Sequence, residues 1–196
     1  MSSSSLASNV ADFDVAVLGG GLPPAAESLI RRAGLNRNDV ATAQALLEEA
    51  RALAPTHPAV LIALYRFHFY GNRLKEARGI AIDALPVALM ALGLRTTRWQ
   101  DVSADNFPRD RSAALEPLPR FFLFTLKGYA YLSLRLGELD EGRAAIARLN
   151  ELDPADEVGY RVLDAVLARM GRDDIGYEDC PEIAGARTVG ADEVLS

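Results

Sequence analysis

The small and apolar side chains of this chain recur with a period of 34 residues. One set is Val40, Ala43, Leu47 and Ala50, the next is Leu74, Ala77, Ala81 and Ala84, and a third, after an interruption, is Leu139, Gly142, Ile146 and Leu149. Spacings of three and four residues put each set on one face of a helix. A period of this size is typical of a unit that buries its apolar face only by stacking on its neighbours. The pattern predicts an all-α fold of stacked helix pairs.

Seven helices are predicted, and prolines and capping residues mark several positions along them. Pro58 suits a first helical position, with Thr56 or His57 as the cap before it. Pro86 is expected to kink or break the fourth helix, because proline removes a backbone hydrogen bond. Asp153 is expected to cap a seventh, terminal helix that starts at Pro154. The predicted helices are residues 24–33, 39–54, 58–70, 74–94, 119–136, 139–152 and 154–170.

Three segments fall outside the helical pattern. Residues 1–23 are predicted to be an irregular lead-in, and residues 95–119 a long insert within a helical domain of residues 24–171. The only tryptophan, Trp99, is expected to pack on the fourth helix near Leu92 and Leu94 and to hold the insert as a flap at a groove's edge. Residues 172–196 carry seven acidic residues against two arginines, a net charge of −5. We expect a solvated acidic tail; the alternative is that it binds a basic partner or the chain's own groove.

Residues 128–154 resemble a tetratricopeptide repeat, as do residues 41–55 and 72–85. Gly137 stands at the turn between the two helices, Gly142 at a position that the family gives to Ala, and Pro154 at the end of the unit. The resemblance implies a short solenoid of about three helix-turn-helix repeats with a C-terminal capping helix. It also implies close helix approaches at the small residues Ala43, Ala77 and Ala130.

The same resemblance implies a concave groove that binds a protein or peptide partner. The side chains that would line it are Ile62, Arg66, Phe69, Tyr70, Phe124, Lys127, Tyr131 and Arg135. Aromatic groups would supply rigid contact area, and the three cations would hold acidic groups of the partner. The alternative is that the aromatic residues only pack between repeats. Tyr131 stands where one variant of the family has an Asn that binds a terminal carboxylate, so that specificity is in doubt.

Two narrower resemblances bear on the cellular role of the protein. Residues 57–77 and 119–142 look like small tetratricopeptide proteins encoded among bacterial nitrogen-fixation genes. That resemblance implies an accessory role, in which the protein assists a metalloenzyme such as nitrogenase as an adaptor or assembly chaperone. The chain also matches type III secretion chaperones in size and acidity, but it carries no motif of theirs.

Composition excludes several classes of partner. A net charge of −6 argues against nucleic acid, which requires a basic surface. No run of about 18 apolar residues is present, so no membrane span is expected. A single cysteine, Cys180, fits a reducing compartment, and we expect a cytoplasmic protein. The oligomeric state is left open.

No group of residues with catalytic spacing stands out. Gly19, Gly20 and Gly21 resemble the start of a dinucleotide-binding loop, but prolines replace the rest of the motif. The two histidines, His57 and His68, have no acidic or second histidine neighbour at metal-ligand spacing, so capping and packing are the expected roles. The acids around Cys180 would raise a thiol pKa, which disfavours a nucleophile. We therefore expect no enzyme activity, no metal and no cofactor.

Overall fold

The computed structural model describes residues 21–108 and 115–169. Within those ranges the chain forms seven α-helices and one short 3-10 helix, Trp99–Asp101, and no β-strand. The α-helices are α1 (Pro24–Leu35), α2 (Val40–Leu53), α3 (Pro58–Tyr70), α4 (Leu74–Ala91), α5 (Pro117–Arg135), α6 (Leu139–Leu152) and α7 (Val162–Arg169). The all-α prediction is confirmed. Most of the lead-in, part of the insert, and the acidic tail with Cys180 lie outside the described residues.

The chain divides into two compact units, Met1–Tyr160 and Arg161–Ser196. Helices α1 to α6 belong to the first unit. The described part of the second unit contains the eight-residue helix α7. None of the helices in the described ranges combines the length and the apolar character that a membrane span requires.

The six helices of the first unit form three consecutive pairs, α1/α2, α3/α4 and α5/α6. Helix α4 also packs extensively against α5, whereas α2 packs much less against α3. The small residues Ala43, Ala77 and Ala130 are all buried, as the repeat pattern predicts. The centre is filled by large side chains with almost no exposed surface, among them Leu61, Leu64, Leu89, Phe122, Leu126, Leu132 and Leu149.

The turns within the second and third pairs have the same geometry. Asn72 and Gly137 both adopt a positive φ, of 54° and 83°, which only Gly and a few polar residues do at little cost. The Arg73 N–H donates to the His68 carbonyl at 2.8 Å, and the Glu138 N–H donates to the Ser133 carbonyl at 2.9 Å. This bond spans five residues and closes a helix end in the Schellman manner. The two pairs therefore repeat in backbone geometry as well as in sequence.

Two helix starts follow the expected capping chemistry. His57 caps α3 as predicted, because its Nδ1 accepts a hydrogen bond from the Ala59 N–H at 3.2 Å. Asp39 caps α2 and accepts from the Thr42 N–H at 3.1 Å. That backbone hydrogen bond, together with one from the Thr42 hydroxyl, lowers the pKa of the Asp39 carboxyl.

The structure corrects two sequence predictions about helix limits. Pro86 does not break the fourth helix, since it lies inside α4, which continues to Ala91; the kink at Pro86 stays a prediction. Packing of α4 against both α3 and α5 outweighs the one backbone bond that proline removes. Asp153 does not cap a helix, since α7 begins only at Val162. Its buried carboxylate instead accepts from the Val158 N–H at 3.0 Å, which holds a turn where a helix was expected.

Candidate partner-binding site

The eight predicted groove residues lie on α3 and α5, which both pack against α4. Contacts of two aromatic side chains of α3 join the two helices. The Tyr65 ring lies against Gly128, where an added Cβ would stand only 2.5 Å from the Tyr65 hydroxyl oxygen. Four residues further along α3, the Phe69 ring centroid lies 5.7 Å from that of Tyr131. The structure therefore brings the two predicted rows together along one seam.

These contacts set the register between the two helices. Tyr65 meets a residue 63 positions later, and Phe69 meets one 62 positions later. Ile62 is therefore level with Phe124, and Arg66 is level with Gly128. Steps of four residues separate the levels, which is about 6 Å along a helix axis.

The aromatic residues divide into a buried floor and exposed edges. Phe69 and Tyr131 are 8% and 9% exposed and form the floor of the seam. The Tyr65 and Phe69 rings stack with centroids 5.6 Å apart, which extends the floor. By contrast, Tyr70 is 51% exposed and Phe124 is 45% exposed. The alternative role, packing between helix pairs, thus describes Phe69 and Tyr131, while Tyr70 and Phe124 leave apolar surface exposed.

Tyr65 is a member of the seam that sequence reasoning missed. It precedes Phe69 by one helical turn, so the stacking was open to prediction, but its fit depends on the missing side chain of Gly128 in a distant helix. Burial, followed by the neighbouring hydroxyls of Tyr131 and Tyr70, raises the pKa of Tyr65 well above its usual range. This hydroxyl therefore stays neutral at physiological pH.

The three predicted cations have different roles. The Lys127 ammonium donates to the Val158 carbonyl at 2.8 Å, so it holds the same turn that Asp153 holds. Arg135 donates to the Tyr131 hydroxyl at 2.8 Å and lies beside that ring. Arg66 is exposed, and within the described part of the chain its guanidinium takes part in no hydrogen bond or ion pair. Of the three predicted cations, Arg66 is therefore the one without such a contact among the described residues.

The opposite side of α5 carries the insert. Tyr129 stands two residues before Tyr131, which places the two side chains about 160° apart around the helix. Trp99 is buried, at 6% exposed, and its ring lies 5.9 Å from that of Tyr129. Phe107 likewise lies 5.6 Å from Phe122. The 3-10 helix containing Trp99 does pack on α4. The predicted flap at the groove's edge is not what the described part of the insert forms, because its aromatic contacts lie on the face of α5 opposite Tyr131.

The histidines take the expected structural roles. His57 is a helix cap, and His68 is buried on the inner side of α3, at 6% exposed. The His68 Nδ1 has no hydrogen-bond partner among the described residues. Burial, with Arg73 nearby, lowers the pKa of His68 despite the opposing charges of Glu76 and Glu48. The described ranges hold no group of three or more His, Cys, Asp or Glu side chains that could bind a metal.

A relative of this chain is encoded beside a nif gene. Over 127 residues, which are 65% of this chain and 70% of the relative, the sequence is 39% identical to a protein of Azotobacter chroococcum mcd 1 described as an uncharacterized 19.8 kDa protein in the nifW 5' region. The chain belongs to the family of that protein. The match is consistent with the predicted link to nitrogen-fixation genes. No family model matches the chain, and no solved structure matches it.

Proposed function

We propose that this chain is a non-enzymatic interaction module of the tetratricopeptide type, which binds a protein or peptide partner on the seam between α3 and α5. The main support is that Tyr70 of α3 and Phe124 of α5 each expose about half of their surface, with the exposed Arg66 between them. Aromatic and arginine side chains in this arrangement are typical of the residues that dominate protein interfaces. The repeated turns at Asn72 and Gly137 support the repeat assignment.

We further propose that the partner belongs to nitrogen fixation, with this chain as an accessory to nitrogenase or another metalloenzyme. The support is the relative in the nifW 5' region. In this proposal the chain holds or delivers a partner and catalyses no reaction. The competing cofactor-binding role at Gly19, Gly20 and Gly21 draws no support from the described residues, which begin at Gly21.

Partner capture tests the binding face. The variant Tyr70→Ser with Phe124→Ser removes the exposed aromatic surface, and the matched control Leu35→Ser with Ile82→Ser removes exposed apolar surface on α1 and α4. Tagged wild type, variant and control are used to capture partners from lysate of a nitrogen-fixing host. The proposal expects one partner, identified by mass spectrometry, to be lost with the variant and retained with the control. Equal capture by all three proteins would place binding elsewhere.

Growth tests the biological link. A host strain lacking the gene should grow more slowly than its parent on dinitrogen as the sole nitrogen source, and equally well on ammonium. The wild-type gene should restore growth, whereas the Tyr70→Ser/Phe124→Ser gene should not. A deletion strain that grows on dinitrogen like its parent would contradict the accessory role.

A further inference from the structure

The residues of the seam lie at three successive heights, or levels, along the axis of α3, and each level has a different chemical character. Ile62 and Phe124 form an apolar level at one end, and Tyr70 forms an aromatic level at the other, next to the floor formed by Phe69 and Tyr131. Arg66 lies between them. Each step along α3 is four residues, or about 6 Å. The order is therefore apolar, cationic, aromatic.

The cation of the middle level is the exposed Arg66. Opposite Arg66, helix α5 presents Gly128, and the Tyr65 ring occupies the space where a side chain would stand. Lys127 is the neighbouring cation on α5; its ammonium donates to the Val158 carbonyl and lies 5.9 Å from the Phe124 ring centroid, one level away from Arg66. A partner group at this level therefore meets the Arg66 guanidinium, with aromatic surface on both sides.

We infer that the seam recognises a segment with a single carboxylate, bound by Arg66, and an apolar side chain on each side of it, one against Phe124 and one against Tyr70. This inference rests on the proposed function and names the partner's chemistry. A guanidinium pairs with a carboxylate through two parallel hydrogen bonds. Apolar contacts on both sides exclude water from that pair, which strengthens it.

The spacing of the levels favours an extended segment. Side chains on one side of an extended chain repeat at about 6.6 to 6.8 Å, close to the spacing of the three levels. The matching pattern is apolar, any residue, acidic, any residue, apolar. A helical segment with the same three groups at every fourth residue gives a spacing of about 6 Å, so the experiment includes both forms.

Labelled peptides test the inference on the full chain. One probe has the core Leu-Ser-Glu-Ser-Phe, and a second is an alanine-rich helical peptide with Leu, Glu and Phe at every fourth position. Each is paired with a peptide that has Gln in place of Glu. Fluorescence anisotropy is then measured with wild type, Arg66→Gln, Arg66→Lys, and the control Arg31→Gln, which changes an exposed arginine on α1.

Wild type and the Arg31→Gln control should bind at least one Glu peptide about tenfold more tightly than its Gln counterpart, the effect of one charge-assisted pair. Arg66→Gln should remove that difference, and Arg66→Lys should retain part of it. The preference should also weaken as salt is raised. Equal binding of Glu and Gln peptides, an unchanged preference in Arg66→Gln, or no binding of either form would overturn the inference.

The result is separable from the proposed function. If the native partner is lost with Tyr70→Ser/Phe124→Ser but is captured normally by Arg66→Gln, the face binds a partner and the carboxylate inference is wrong. If both variants capture the native partner as well as wild type does, the partner does not bind to this face. Thermal unfolding of each variant checks that the fold is retained.

Discussion

At the scale of single residues, three basic side chains that look equivalent in the sequence have different roles in the fold. Arg66, Lys127 and Arg135 all suit a groove that holds acidic groups. In the structure, Lys127 is tied to the Val158 carbonyl and Arg135 to the Tyr131 hydroxyl, while Arg66 is exposed. A combined alanine variant of all three would therefore mix loss of binding with loss of stability. Single substitutions at Arg66 avoid that ambiguity.

Gly142 occupies a crowded position in the core. A Cβ at this residue would lie 2.4 Å from the Leu134 Cδ2 and 2.7 Å from its Cγ, and Leu134 is fully buried. We predict that Gly142→Ala lowers the free energy of unfolding by about 1–2 kcal/mol, because the crowded core must shift. The control Gly79→Ala, where a Cβ meets nothing within 4 Å, should be neutral or stabilising by up to about 1 kcal/mol. Urea unfolding measures both, and equal effects would contradict the crowding at Gly142.

His68 predicts a pH dependence of stability. Burial is the main cause of its lowered pKa, with Glu48 and Arg51 of α2 and Arg73 and Glu76 near the start of α4 as the charges around it. Below the ordinary histidine pKa of about 6.5, the unfolded chain binds a proton that the folded chain binds less readily. The stability that His68 contributes is therefore complete above about pH 6.5 and is lost as pH falls below it. The slope is at most about 1.4 kcal/mol per pH unit.

The variant His68→Leu separates this effect from other acid-sensitive groups. Urea unfolding at several pH values between about 5 and 7.5 should show a smaller loss of stability on acidification in His68→Leu than in wild type. The control His57→Asn retains a helix-capping side chain at a site away from the core. Parallel pH profiles for wild type and His68→Leu would show that His68 does not titrate with folding.

At the scale of elements, one polar network joins the second pair to the third. Arg78 of α4 donates to the Ser133 hydroxyl at 3.0 Å and to the Tyr129 hydroxyl at 3.3 Å, and it pairs with Glu138. Tyr129 in turn donates to Glu141 at 2.8 Å. Because the Arg78 side chain is only 17% exposed, its removal leaves partners in the interior without their donor.

We predict that Arg78→Ala lowers the free energy of unfolding by about 1–3 kcal/mol. Arg78→Lys should recover only part of this, because an ammonium cannot reproduce the planar guanidinium geometry. The matched control is Arg143→Ala, which removes an exposed pair with Asp140 at 3.4 Å and should change stability by less than about 0.5 kcal/mol. Similar losses for Arg78→Ala and Arg143→Ala would mean that the network contributes no more than a surface ion pair.

The helices were predictable from the sequence wherever one local signal decided them. The 34-residue pattern located α2, α4 and α6, all of α1 to α6 were predicted to within a few residues, and His57 was identified as a cap. The failures have two causes. Pro86 is accommodated inside α4, which packs on two neighbouring helices, so tertiary contacts outweigh its low helix propensity. Asp153 accepts from the Val158 N–H five residues on, a local turn that competes with the helix start expected there.

The candidate site was predictable only in part, for the same reason. Helical spacing places Arg66 and Tyr70 on one face of α3, but it does not reveal that Tyr65 fits against Gly128 on α5. Nor could it show that Trp99 packs beside Tyr129 on the other face of α5. The sequence could thus predict which residues share this face. It could not predict which of them are buried, which are exposed and which hold other parts of the structure. Its role in binding stays a prediction.

At the scale of the whole chain, the uneven packing between helix pairs predicts uneven local stability. Helix α4 packs closely on α5, where Arg78 and the Trp99 segment add further contacts. The junction between the first and second pairs is less extensive. Its polar contacts include the Arg51 pair with Asp83 at 2.6 Å and a hydrogen bond from Arg73 to the Gln44 side chain at 2.8 Å. In arrays of this kind each pair is stabilised by its nearest neighbours, so the less supported end opens first.

We therefore predict that backbone amides of α1 and α2 exchange with deuterated solvent faster than those of α4 and α5. Native-state hydrogen exchange followed by mass spectrometry resolves these helices as separate peptides. Arg78→Ala should accelerate exchange in α5 and α6 while leaving α1 and α2 close to wild type, because its contacts lie at the second junction. Arg51→Ala should have the reverse effect, with faster exchange confined to the first pair. Uniform protection across α1 to α6 would instead show that the three pairs unfold as one cooperative unit, in which case the weaker junction has no consequence for local opening.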